Sequence, residues 1–81
     1  MNVTAEDIII VIKNADIVGL DASKLEHEKP FSDQGVDSLD LMTVLLKVEE
    51  EYNFRIPDDD ADSISTVEEL ASYINKRRAA S

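Results

Sequence analysis

The chain of 81 residues contains no cysteine and no tryptophan, and only two glycines and two prolines. Without cysteine there is no disulfide framework, no thiolate metal ligand and no thiol nucleophile, so any sulfur chemistry has to arrive on an attached group. Such a chain fits a reducing compartment. The glycines stand alone at positions 19 and 35, which excludes a glycine-rich loop that cradles phosphate. Long apolar runs are missing too: none approaches the ~20 residues of a membrane span. Glu6 and Asp7 precede the main apolar run, where a secretory leader carries basic residues. The expectation is a cytoplasmic protein without a membrane span. Basic residues are scarce, 8 against 18 acidic ones for a net charge of −10, and Lys76, Arg77 and Arg78 cluster at the end. Up to Asn75, five bases face 18 acids, a balance of −13. That field repels nucleic acid and anionic membrane and steers basic protein surfaces toward the chain.

A chain of this length makes one domain, here residues 1–81, with a thin core, because only about 60 to 65% of its unfolded surface can be buried. Thr4 followed by Asp7 marks a helix start. The run Ile8-Ile9-Ile10-Val11-Ile12 suits a strand by propensity. Apolar character nevertheless continues to Ala15, Ile17 and Val18, with Lys13, Asn14 and Asp16 interleaved, and no second strand-like run exists to pair with it. A first helix is therefore expected over about 4–17, ending near Gly19. Residues 20–37 lack periodicity and form a long loop pinned by Leu20, Leu25, Phe31 and Val36. Ser38 is read as the cap of a second helix reaching about Tyr52, with Leu41, Leu45, Val48 and Tyr52 as its core stripe and Leu39 and Leu46 on a wet flank. Pro57 breaks the chain and opens a short third helix with Asp58, Asp59 and Asp60 in its first turn, ending around Ser63. Ser65 and Thr66 are alternative caps, with Glu68 and Glu69 three residues on, for a last helix ending in Lys76-Arg77-Arg78. The fold class is all-α: a small four-helix bundle of three main helices and one short one, with a long loop between the first two.

Candidate chemistry is sparse. Asp58, Asp60, Asp62 and Glu69 match positions 1, 3, 5 and 12 of a calcium-binding loop, but Ser63 replaces the required glycine and Pro57 interrupts the entering helix. Helix-start acids explain them better, and no metal site is assigned. His27, the lone histidine, lies in the polar loop with no spacing that joins it to Ser38 in a triad. It is read as a surface residue, and no catalytic residue is assigned. Ser38 has two readings: a helix cap, or a hydroxyl that bears a phosphate stabilised by unpaired N–H groups and the positive end of the helix dipole. The residues alone favour the cap.

The segment from Gly35 to Ile74 resembles the second half of acyl carrier proteins. The likeness rests on Asp37-Ser38-Leu39, Glu49-Glu50-Glu51-Tyr52, Ile56-Pro57-Asp58, Ile64-Ser65-Thr66-Val67 and Tyr73-Ile74 in that order. The resemblance implies a non-enzymatic, monomeric carrier in which Ser38 is esterified with 4'-phosphopantetheine from coenzyme A by a phosphopantetheinyl transferase. Acyl groups then ride as thioesters to acyl-loading, elongating and acyl-transfer enzymes of fatty-acid, lipid or polyketide pathways. Docking to basic patches on those enzymes is implied for Asp37, Leu39, Asp40, Leu46, Glu49 and Glu50. Val48, Tyr52, Ile56, Ile64 and Leu70 are the expected acyl pocket. Thr43 stands where fatty-acid carriers commonly have an acid, and Lys47 adds a positive charge to the docking face. The alternatives are an aminoacyl or peptidyl carrier of the same fold and an acidic, calcium-responsive interaction module.

Overall fold

A computed structural model describes residues 2–80. Helix α1 runs from Ala5 to Asn14 and opens on a reciprocal cap. The Asp7 amide donates to Thr4 Oγ1 at 3.2 Å, and the Thr4 amide donates to Asp7 Oδ2 at 2.9 Å. The β-branched run is helical because Ile8, Val11 and Ile12 fall on one face and are buried there. The helix ends three residues earlier than its apolar pattern suggests. Asp16 adopts a left-handed conformation at φ 54° and Gly19 follows at φ 82°, so Ile17 reaches the core from a turn rather than from a helix.

The long connection is better ordered than its composition indicates. It holds two 3₁₀ turns, Ala22–Lys24 and Phe31–Gln34, each too short to leave a periodic trace in sequence. Leu25, Phe31 and Val36 are buried and Leu20 is half-buried, as expected, with Ala22 as a further pin. Gln34 ties the loop to itself: its Oε1 accepts from the Glu26 amide at 2.6 Å, and its Nε2 donates to the Lys29 carbonyl at 2.8 Å. Gly35, at φ 81°, supplies the left-handed residue that turns the chain into the next helix.

Helix α2 spans Ser38–Tyr52, α3 is the single turn Asp58–Ala61, and α4 spans Val67–Ala80. Pro57 and the three aspartates open α3 as anticipated, though it closes two residues sooner. The doubled signal ahead of α4 resolves in favour of Thr66 and Glu69. Thr66 Oγ1 accepts from the Glu69 amide at 3.0 Å, and the Glu69 carboxylate accepts from both the Ser65 and Thr66 amides. Helix α1 packs on α2 and on α4, and Ile8, Ile12, Val44, Val48, Val67, Leu70 and Ile74 form the dry centre. On α2 the buried stripe is Val44, Leu45 and Val48, with Leu41 and Tyr52 only half-buried, so the inward face is rotated from the expected one.

Two polar devices fasten the ends. Asn75 brackets Val3, accepting from its amide at 2.7 Å and donating to its carbonyl at 2.9 Å. The Tyr73 hydroxyl donates to Asp60 at 2.6 Å and accepts from Arg77 at 2.7 Å, which binds α3 to α4. Burial and then the Asp60 carboxylate hold the Tyr73 phenol above its ordinary range. No helix among the described residues is long and apolar enough to cross a membrane.

Candidate functional site

The sequence around α2 offers two adjacent capping residues, and the backbone chooses the first. Asp37 is extended, and its Oδ1 accepts from the Asp40 amide at 2.8 Å. Ser38 is therefore the first residue of the helix and not its cap, contrary to expectation. The correction matters chemically, because a capping serine would spend its oxygen on a backbone N–H. Here the Ser38 hydroxyl is exposed and enters no hydrogen bond with any described residue. It sits at the end of a helix where backbone N–H groups and the dipole favour an anion.

Beside it lies a cleft of about 300 Å³ lined by Phe31, Val36, Leu41 and Ile64 with Ser32, Asp37, Ser38 and Ser65 at its polar edge. The loop wall is held against the start of α4 by main-chain bonds. The Phe31 amide donates to the Ser65 carbonyl at 2.8 Å, and the Glu68 amide donates to the His27 carbonyl at 3.0 Å. His27 thus serves through its backbone. Its imidazole is exposed in a separate hollow with Glu26, Glu28 and Glu68. Asp37 is the titratable side chain that lines the Ser38 cleft among the described residues, and one of its oxygens is committed to the cap.

The residues expected to form the acyl pocket are divided by the packing. Of Val48, Tyr52, Ile56, Ile64 and Leu70, only Ile64 lines the cleft at Ser38. Val48, Ile56 and Leu70 are spent on the core. Tyr52 faces a different cleft of about 360 Å³, between α1 and α2, with Asp7, Ile10, Lys47, Glu50 and Glu51. The calcium-loop candidates are also dispersed. Asp58 and Asp60 lie in helix α3, Asp60 is bonded to Tyr73, and Glu69 caps α4. No group of three or more histidine, aspartate or glutamate side chains among the described residues is placed to hold a metal ion.

Along the outer face of α2, Leu39 is 73% exposed, Met42 60% and Leu46 57%. They stand at i, i+3 and i+7, one stripe on the side opposite the core. Met42 was missed by reading the flank as two leucines, although the spacing itself points to it. The acids beside the stripe are unequal. The Asp40 carboxylate makes no hydrogen bond or ion pair with a described residue. Asp37 spends one oxygen on its cap. Glu49 is half-buried, and its Oε2 accepts from the Ile56 amide at 2.6 Å. Glu50 lies 3.8 Å from the Lys47 ammonium.

The small helical bundle presents an unengaged hydroxyl at the start of α2, with an apolar stripe beside it. Sequence comparison gives its class a name. A family model described as the phosphopantetheine attachment site matches residues 13–74. An acyl carrier protein of Bdellovibrio bacteriovorus is 41% identical over 61 residues, covering 74% of this chain and 78% of its own. One of Clostridium acetobutylicum is 38% identical over 61 residues, covering 74% and 79%. Among solved structures, the hexanoyl form of the actinorhodin polyketide synthase acyl carrier protein of Streptomyces coelicolor superposes with a TM-score of 0.83. It shares 31% identity, over 100% of this chain and 96% of that one. The chain belongs to the acyl carrier protein family. It is an acyl carrier, and its covalently attached phosphopantetheine supplies the thiol that a cysteine-free chain lacks.

Proposed function

We propose that Ser38 is the attachment residue. The observation that carries this reading is its exposed, unengaged hydroxyl at the first position of α2, inside the matched family segment. The residues fit the group. The helix end suits a phosphodiester, and the neighbouring apolar cleft can shelter part of an arm or its cargo. Loading is a transfer catalysed by a separate phosphopantetheinyl transferase. A bond forms between Ser38 Oγ and the β-phosphorus of coenzyme A, the bond from that phosphorus to the bridging oxygen breaks, and adenosine 3',5'-bisphosphate departs. The hydroxyl proton passes to a base on the transferase. When bound, the group supplies a thiol for thioester formation. The chain itself anchors the arm, caps the helix beneath it through Asp37 and presents the docking face.

That face comprises Asp37, Leu39, Asp40, Leu46 and Glu50, to which Met42 is added. Glu49 contributes charge, but its hydrogen bond to Ile56 limits what it can offer a partner. The protein acts as a cytoplasmic monomer and a carrier rather than an enzyme, within fatty-acid, lipid or polyketide assembly, and residues 1–81 serve as one domain. Intact-mass measurement after incubation with coenzyme A, Mg²⁺ and a broad-specificity transferase tests the reading. One phosphopantetheine should be added to the wild type and none to Ser38→Ala. A wild type that gains no mass, or a gain that survives the substitution, overturns it.

A further inference from the structure

The flank of α2 that borders the α1 cleft carries an opposing charge. Lys47 is the only base in the helix, and its ammonium lies 3.8 Å from the Glu50 carboxylate, with the Lys47 side chain about half and the Glu50 side chain mostly in water. As a contribution to stability such an exposed pair is slight. To an approaching protein it matters more. Its separation is under half the Debye length of about 8 Å, so from outside the pair is nearly neutral. At 1.5 Å per residue Glu50 is about 15 Å from Asp40 along the helix. The two ends of the face are therefore screened from one another and act separately.

We propose that Lys47 sets partner specificity by locking Glu50. Attraction to a basic enzyme surface is then concentrated at Asp37 and Asp40, beside Ser38. The distal half of α2 favours an enzyme that brings a carboxylate to Lys47 and an arginine or lysine to Glu50, exchanging one internal pair for two across the interface. Asp40 carries the proximal end because its carboxylate is uncommitted, whereas Glu49 is held by Ile56. The inference rests on the proposed docking role of α2 and deepens it: the enzyme that fits presents basic, acidic and basic groups in series, not a uniformly basic patch.

The test uses the full chain and a phosphopantetheinyl transferase whose docking surface is basic, with kcat/KM for loading as the readout at low and high salt. Lys47→Gln should raise kcat/KM about threefold at low salt and Lys47→Glu about tenfold, with both gains shrinking at high salt. In a Glu50→Gln background, Lys47→Gln should give a smaller gain, because the positive charge is removed but no paired carboxylate is released. An unchanged rate for Lys47→Gln, or the same gain with and without Glu50, overturns the inference. A wild type that is not loaded at all overturns the Ser38 reading together with it, whereas normal loading with a silent Lys47 overturns the lock alone.

Discussion

Helices α2 and α4 are almost equal in length, at 15 and 14 residues, and each buries one apolar stripe in the same core. They differ in what remains outside. The outer face of α4 is polar, with Glu68, Ser72 and Lys76, whereas that of α2 leaves Leu39, Met42 and Leu46 in water. Their starts differ in the same sense. Ahead of α4, Ser65 Oγ donates to Glu69 at 2.7 Å and Thr66 Oγ1 accepts the Glu69 amide, so each hydroxyl is engaged. At α2 the cap falls to Asp37, and Ser38 is left over. Bonding capacity spent inside the chain holds the fold together. Capacity left unspent, apolar on one face and polar at one tip, is available to other molecules.

Substitutions at the two starts give the sharpest contrast. Ser38→Ala should abolish loading while leaving stability within about 0.5 kcal/mol of the wild type, because the side chain closes no bond in the fold. Thr66→Ala should do the reverse, costing about 1 kcal/mol as a lost cap while still accepting the arm. Intact mass and urea unfolding on the same preparations separate the two. If Ser38→Ala destabilised the protein as much as Thr66→Ala, the distinction between spent and unspent hydroxyls would fail.

The outer faces give the next largest effect. Met42→Ala or Leu46→Ala should lower kcat/KM for transferase loading roughly fivefold, about the 1 kcal/mol that marks an interface anchor. Ser72→Ala on α4 should change it little. Stability should hold in all three, since none of these side chains is buried. Equal responses from the two helices would show that α2 is not the favoured docking face.

Where the sequence carried local chemistry, it was readable. The Thr4–Asp7 cap, the break at Pro57 and the loop pins at Leu25, Phe31 and Val36 each follow from residue type and spacing. Ambiguity arose where two neighbours were equally suited. Asp37 and Ser38 are both good caps, and only the backbone decides which oxygen faces the orphan amides. The end of α1 was hidden because Ile17 keeps the apolar rhythm while Asp16 turns the chain. The cleft beside Ser38 was not legible because it is formed by loop, helix and linker residues from 31 to 65, brought together through the Phe31–Ser65 main-chain bond. Ser38 was singled out through the family pattern, and its hydroxyl is left without a hydrogen bond to any described residue because Asp37 takes the cap.

The clasp midway along α4 should be structural only. Tyr73→Phe removes a donor to Asp60 and an acceptor for Arg77, and should cost about 1 kcal/mol in urea unfolding. Loading at Ser38 should be unchanged. A loss of loading rate without loss of stability would tie this part of the molecule to the site and blur the division between the two helices.

The smallest effect is in the pH response of the α4 start. Hydrogen bonds from the Ser65 hydroxyl first, then from the Ser65 and Thr66 amides, hold the Glu69 carboxyl below its ordinary value of 4.5. A carboxyl depressed by folding adds stability above its unfolded value, and that stability is lost as pH falls through the folded one. The urea midpoint should therefore decline on acidification below about pH 4.5, and Glu69→Gln should make that decline shallower. Because Glu69 lies in water, the difference should be a fraction of the Thr66→Ala effect. An identical pH slope in wild type and Glu69→Gln would mean that the charge adds nothing at this cap, leaving the neutral hydrogen bonds to account for the order at the start of α4.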